Sequence, residues 1–133
     1  MAEIEDSIGE WVTISEYDLK TAKAMLIADR YLYVAFMSQQ AIEKLLKAIY
    51  VQNVKELPPR THNLLYLVHK LALNISEEHK KVFSQLNQYY IESRYPGERV
   101  RLAQEMNKAQ AEGIYNSTKE AWECLKKQLA LKK

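Results

Sequence analysis

The sequence predicts an all-α protein, an antiparallel up-and-down four-helix bundle with an additional helix. Three observations lead there. Only three glycines and three prolines occur in 133 residues, so there are few points at which tight turns could join strands. Apolar residues recur at steps of three and four through most of the chain, the period of a helix with one buried face. The breaks between these periodic stretches are short, which sets successive helices antiparallel.

The first helix is expected from Ser7 to Ile27, with Ser7 as its cap and Glu10 closing a capping box. Ile8, Trp11, Val12, Leu19, Ala22 and Leu26 line its inner face, Trp11 being a core or subunit-interface anchor. Ala28, Asp29 and Arg30 form a short connector. The second helix, Tyr31 to Gln52, is the most regular in the chain. Val34, Ala35, Ser38, Ala41, Ile42, Leu45 and Ile49 make one apolar stripe. The other side carries Gln40, Lys44 and Lys47, with Gln39 and Glu43 beside them. Glu43 precedes Lys47 by one turn, the favourable order for an ion pair. By spacing alone such a pair is a solvated one, contributing about 0.3–0.5 kcal/mol.

Pro58 and Pro59 then end the helix, since each lacks an amide proton and clashes with the preceding turn. Thr61 is placed to cap a third helix from His62 to Leu73, and Ser76 to cap a fourth from Glu77 to Glu92. A loop follows at Arg94, Tyr95, Pro96 and Gly97, where Gly97 permits a positive φ. Arg94, Arg99 and Arg101 stand close to Tyr89, Tyr90 and Tyr95, and arginine forks beside aromatic faces suit phosphates and bases. A fifth helix is expected from Ala103 to Leu131, with a bend or a fray near Gly113. Lys126, Lys127, Lys132 and Lys133 suit the negative end of its dipole.

Length makes residues 1–133 one domain, large enough to fold without a disulfide or a metal. A net charge of +2 is too mild to signal nucleic-acid binding by composition. The lone Cys124 has no internal partner and fits a reducing cytoplasm. The stretch from Tyr31 to Val51 is interrupted by Gln39, Gln40, Glu43, Lys44 and Lys47, so no membrane span is expected. Glu3, Glu5, Asp6 and Glu10 replace the basic start of a targeting signal.

Several chemistries lack their residues. The scattered glycines form no phosphate loop. His62 and His69 are about 10 Å apart along a helix, too far to chelate one ion, so no metal site and no cofactor are expected. Cys124 has no local histidine to activate it.

Three elements in succession carry a resemblance. They are Gln39-Gln40-Ala41-Ile42-Glu43-Lys44 with Leu46-Lys47-Ala48, then Thr61-His62-Asn63-Leu64, then Tyr89-Tyr90-Ile91-Glu92-Ser93-Arg94-Tyr95-Pro96. Together, over about Trp11 to Leu129, the chain resembles the HEPN domain family, "higher eukaryotes and prokaryotes nucleotide-binding". The resemblance implies a helical bundle, commonly a homodimer, produced alongside a minimal nucleotidyltransferase that carries the transfer chemistry. It implies a nucleotide or phosphate-bearing substrate held by Gln40, Glu43, Lys44, Lys47, His62, Arg94 and Tyr95. In that picture Lys47 and Arg94 neutralise phosphates, Tyr95 or Tyr90 stacks a base, and Glu43 orients a basic group or a ribose hydroxyl.

Other members of that family are metal-independent ribonucleases, including toxins, that use an R-x-x-x-x-H motif. Here the last histidine, His79, precedes Arg94, Arg99 and Arg101, and His62 follows Arg60 too soon. The imidazole is missing where that chemistry needs it, so no catalytic residue is assigned and a non-catalytic binding subunit is expected. A divergent ribonuclease toxin acting on RNA, with His62 or Tyr95 as base, and a helical module that binds only protein remain as alternatives.

Overall fold

The computed structural model describes residues 2–131. It is an all-α bundle of six helices among those residues: α1 (Ala2–Ile27), α2 (Tyr31–Val54), α3 (Leu64–Lys70), α4 (Glu77–Glu92), α5 (Pro96–Glu105) and α6 (Lys108–Leu131). Helix α2 runs through the middle and touches every other helix. Its Ile42, Leu45, Leu46 and Ile49 pack with Leu64, Phe83 and Leu125, all at most 1% exposed. Each such side chain contributes about 1.5–3 kcal/mol by leaving water. None of the described helices is long and apolar enough to cross a membrane.

The connectors explain the hairpins. After α1, Asp29 takes a left-handed φ of 61°. The Arg30 amide donates back to the Met25 carbonyl at 2.8 Å and the Asp29 amide to Leu26 at 3.2 Å, a Schellman ending that reverses the chain at once. Ala72 does the same after α3, at φ 52°, with the Leu73 amide on the Val68 carbonyl at 3.1 Å. Helix α2 overruns its expected end and stops at Lys55, φ 62°.

Four expectations need correcting. Helix α1 begins before Ser7, whose hydroxyl donates to the Ile4 carbonyl at 2.6 Å instead of capping; Glu5 and Asp6 near the N-terminal end suit the dipole there. Helix α3 is shorter than expected, and its cap is Asn63, whose Oδ1 accepts from the Tyr66 amide at 3.1 Å. The expected loop at Pro96 is the start of a helix, with proline in its first turn, where a missing amide proton costs nothing; Gly97 has no positive φ. The expected fifth helix is two. They part at Met106 and Asn107, where Asn107 Oδ1 accepts from the Gln110 amide at 2.8 Å and Gln110 Oε1 from the Asn107 amide at 2.9 Å. That reciprocal pair starts a new helix, while Gly113 lies within α6. Lys132 and Lys133 lie outside the described residues.

Candidate functional site

Three polar side chains climb one line of α2 at four-residue steps: Gln39, Glu43 and Lys47. They are 0%, 1% and 7% exposed. The expected solvated ion pair is therefore a buried one, with Trp11 of α1 over Lys47 and His62 of the loop before α3 on Glu43. Glu43 is fully engaged. Its Oε1 accepts from His62 Nδ1 at 2.9 Å and Gln39 Nε2 at 3.1 Å. Its Oε2 accepts from Lys47 Nζ at 3.0 Å, with Lys44 Nζ at 3.6 Å. Burial pushes the Glu43 carboxyl up, but the hydrogen bonds from His62 and Lys47 and the charges of Lys44 and Lys47 together hold it below the usual range.

The neighbours extend the network. Lys44 Nζ donates to Gln40 Oε1 at 2.7 Å, and Gln40 Nε2 to Gln39 Oε1 at 2.6 Å. Lys47 Nζ lies 5.7 Å from the centre of the Trp11 ring, so Trp11 covers the buried ammonium from α1. Asp18 of α1 faces the same charges; burial raises its carboxyl, Lys44 opposes that and Glu43 adds to it.

This network fixes His62, which lies in the loop before α3. Gln39 Nε2 donates to the His62 carbonyl at 2.8 Å, while Glu43 holds the ring. An ionised carboxylate only accepts, so Nδ1 carries the proton and Nε2 is the nitrogen left over. The ring is about half exposed. It lies 4.9 Å from the Tyr90 ring, whose other neighbour is Phe36, stacked at 5.6 Å.

Two cavities meet this row of rings, one at His62 and Tyr90 and the other at Phe36 and Tyr90. The first, about 320 Å³, is lined by Arg60, His62, Asn63, Asn87, Tyr90 and Arg94 among others. The second, about 300 Å³, is lined by Leu32, Tyr33, Phe36, Tyr90, Arg94 and Arg99 with Ser93. Tyr90 and Arg94 belong to both. Burial raises the Tyr90 phenol, as does Glu43, against Arg94. Among the described residues, no carboxylate lines either cavity. Asn63 and Asn87 are occupied: Asn87 Nδ2 donates to Asn63 Oδ1 at 2.9 Å, and Asn87 Oδ1 accepts from the Leu64 amide at 2.9 Å. Arg60 and Arg94 have no ion pair among the described residues. Arg101 is the contrast, since Glu92, Glu98 and Glu105 all neutralise it.

Of the residues singled out from the sequence, the structure brings His62 and Arg94 to one cavity. Gln40, Glu43, Lys44 and Lys47 line neither cavity; of these four, Glu43 is the one hydrogen-bonded to a lining residue, His62. Lys47 is not a free phosphate ligand, because its ammonium is buried and spent on Glu43. Tyr95 caps α5, is 61% exposed and lines neither cavity. Tyr90 has His62 on one side and Phe36 on the other, so it offers no open stacking platform. Arg60, Tyr33 and Phe36 were not expected at the site. Arg60 had a signal, standing next to Thr61-His62 after the prolines; Tyr33 and Phe36 look like ordinary core positions. No cluster of histidine, cysteine, aspartate or glutamate able to hold a metal occurs among the described residues.

Comparison with known proteins bears on most of the chain. The family model described as "HEPN domain" matches residues 8–128. TT1696 from Thermus thermophilus is similar in structure, at 21% identity and a TM-score of 0.78, over 92% of this chain and 98% of that one. So is ST0689, an archaeal HEPN homologue, at 22% identity and 0.73, over 91% and 96%. At these identities the likeness speaks to the fold. Comparison with curated proteins gives no match.

Proposed function

The chain belongs to the HEPN domain family, and from that premise we propose that it is a binding subunit for a phosphate-bearing ligand of the nucleotide class, serving a separate minimal nucleotidyltransferase. One observation carries the reading. Arg60, Arg94 and the oriented His62 surround a cavity with no acid among its described lining residues, whereas Lys47 and Arg101 are each neutralised by carboxylates. Two cations left unpaired at one concave place favour an anion there, and arginine forks suit phosphate oxygens. His62, its ring held by Glu43 and its carbonyl by Gln39, forms a fixed wall of that cavity. The transfer chemistry is assigned to the partner on the family resemblance, and the missing arginine-to-histidine motif after Arg94 argues against ribonuclease chemistry in this chain.

The test is calorimetric titration of the purified protein with nucleoside triphosphates at low salt, where a cationic site is least screened. Binding that is lost in an Arg60→Ala/Arg94→Ala variant supports the site. No heat with any nucleotide overturns it. Co-purification with a nucleotidyltransferase made from the same genome tests the partnership. The homodimer that the family resemblance implies belongs to the same reading, and a monomeric mass by light scattering at micromolar concentration refutes it.

A second reading, a divergent metal-independent ribonuclease, is favoured by the Glu43–His62 pair. A carboxylate that holds Nδ1–H leaves Nε2 as a proton acceptor facing a cationic cavity. Cleavage of RNA by the purified protein, lost in His62→Gln, would establish it.

A further inference from the structure

The two cavities that share Tyr90 and Arg94 are chemically unlike. The first is lined by Arg60, His62 and two asparagines. The second is lined by Leu32, Tyr33, Phe36 and Arg99. We infer that the second cavity is a subsite for the flat aromatic part of the ligand whose phosphates occupy the first, so that the ligand is a base-bearing nucleotide bridging both. This rests on reading the first cavity as a phosphate site.

Four features support the assignment. The Arg99 guanidinium is held in place by its hydrogen bond to the Tyr33 hydroxyl and sits 5.2 Å from the centre of that ring. A fixed guanidinium beside aromatic rings offers flat, polarisable faces to a base, and such stacking tolerates any base. Arg99 is thereby committed to Tyr33, and Leu32 and Phe36 are apolar, so the second cavity is a poor place for free phosphate. Tyr90, the wall between the two, has its neighbours on both sides; the stacking surface therefore lies beyond it, on the Phe36 and Tyr33 side. Arg94 belongs to both cavities, which puts phosphate next to the ring it must be joined to. Each cavity alone is at the small end for ligand sites, about 300–1,000 Å³, and the pair suits one whole nucleotide better than either does alone.

The experiment is a matched titration of the full chain with ATP and with inorganic tripolyphosphate. It uses wild type, Arg94→Ala, and a Tyr33→Ala/Arg99→Ala variant whose two residues are exposed enough for the bundle to fold, checked by circular dichroism. The expected result is that wild type binds ATP about tenfold or more tightly than tripolyphosphate. The Tyr33/Arg99 variant loses that advantage but keeps its tripolyphosphate affinity, and Arg94→Ala weakens both. Equal affinities in wild type, or an ATP advantage that survives in the double variant, would overturn the base subsite while leaving the phosphate site standing. Absence of binding by either probe would overturn both.

Discussion

The Glu43 carboxylate holds the His62 ring, Oε1 to Nδ1 at 2.9 Å, across 19 positions of sequence. One partner is 1% exposed and the other about half exposed. The bond thus joins the centre of the bundle to the rim of a cavity. A buried charge is costly unless paired and hydrogen-bonded, and Glu43 meets that condition with four partners from two elements. The rigidity of the exposed imidazole follows from the burial of its acceptor.

Glu43 is therefore expected to set the acid stability of the fold. Its carboxyl is held below the usual range in the folded protein. The unfolded chain thus binds that proton more readily, and the stabilisation is present above the ordinary carboxylate pKa and lost as pH falls through the lowered one. Removing the group strands the Lys47 ammonium, so Glu43→Ala should cost about 3–5 kcal/mol near neutral pH. Urea unfolding at pH 7 and at pH 3 measures both effects, and the gap between wild type and variant should narrow at the lower pH.

Lys47 and Arg94 are expected to part company. Lys47 is buried on Glu43, whereas Arg94 stands at both cavities without an ion pair among the described residues. Lys47→Met should lower stability, by less than Glu43→Ala because Glu43 keeps His62, Gln39 and Lys44. Arg94→Ala should leave the melting temperature unchanged and weaken nucleotide binding about ten- to a hundredfold, the loss of one charged hydrogen bond. Thermal melts and calorimetry on the two variants separate the effects. A Lys47→Met variant that melts normally but binds no nucleotide would reverse the assignment.

Much of this was legible beforehand, and the misses share a cause. Helix α4 is bounded by local chemistry, the Ser76 cap and Pro96, and its ends fall where the residues put them. The α5–α6 break was also local, an Asn-x-x-Gln capping pair at 107 and 110, but the apolar period continues through it and hides it. Glu43 and Lys47 were legible as a pair but not as a buried one. Their surroundings come from Trp11 of α1 and His62 of the loop before α3, which no spacing within α2 records. The second cavity was invisible for the same reason: Tyr33 and Arg99 lie 66 positions apart.

Asn63 should matter to both stability and ligand. Its Oδ1 caps α3 through the Tyr66 amide and also takes a bond from Asn87 of α4, fixing the backbone next to His62. Asn63→Ala is expected to cost about 1–2 kcal/mol, the range for a lost N-cap. It should weaken nucleotide binding as well, although the side chain's Oδ1 is already spent within the protein. Asn63→Asp keeps the acceptor for the Tyr66 amide and should retain most of the stability. Chemical denaturation and titration of both variants give the comparison.

Ser15 is a second polar link of the interior. Its hydroxyl donates to the Ala41 carbonyl at 2.6 Å and accepts from Trp122 Nε1 at 2.7 Å, so one oxygen ties α1, α2 and α6 together. Ser15→Ala leaves the indole N–H without its acceptor, and an unmade buried hydrogen bond costs about 1–3 kcal/mol. Trp122→Phe alone removes the donor along with packing area. The double variant removes both polar partners, so it should be less destabilised than the sum of the two singles, with a coupling of about 1 kcal/mol. Urea unfolding of the four proteins measures that coupling. Strict additivity would mean that Ser15 serves α2 alone and that Trp122 contributes only its apolar surface.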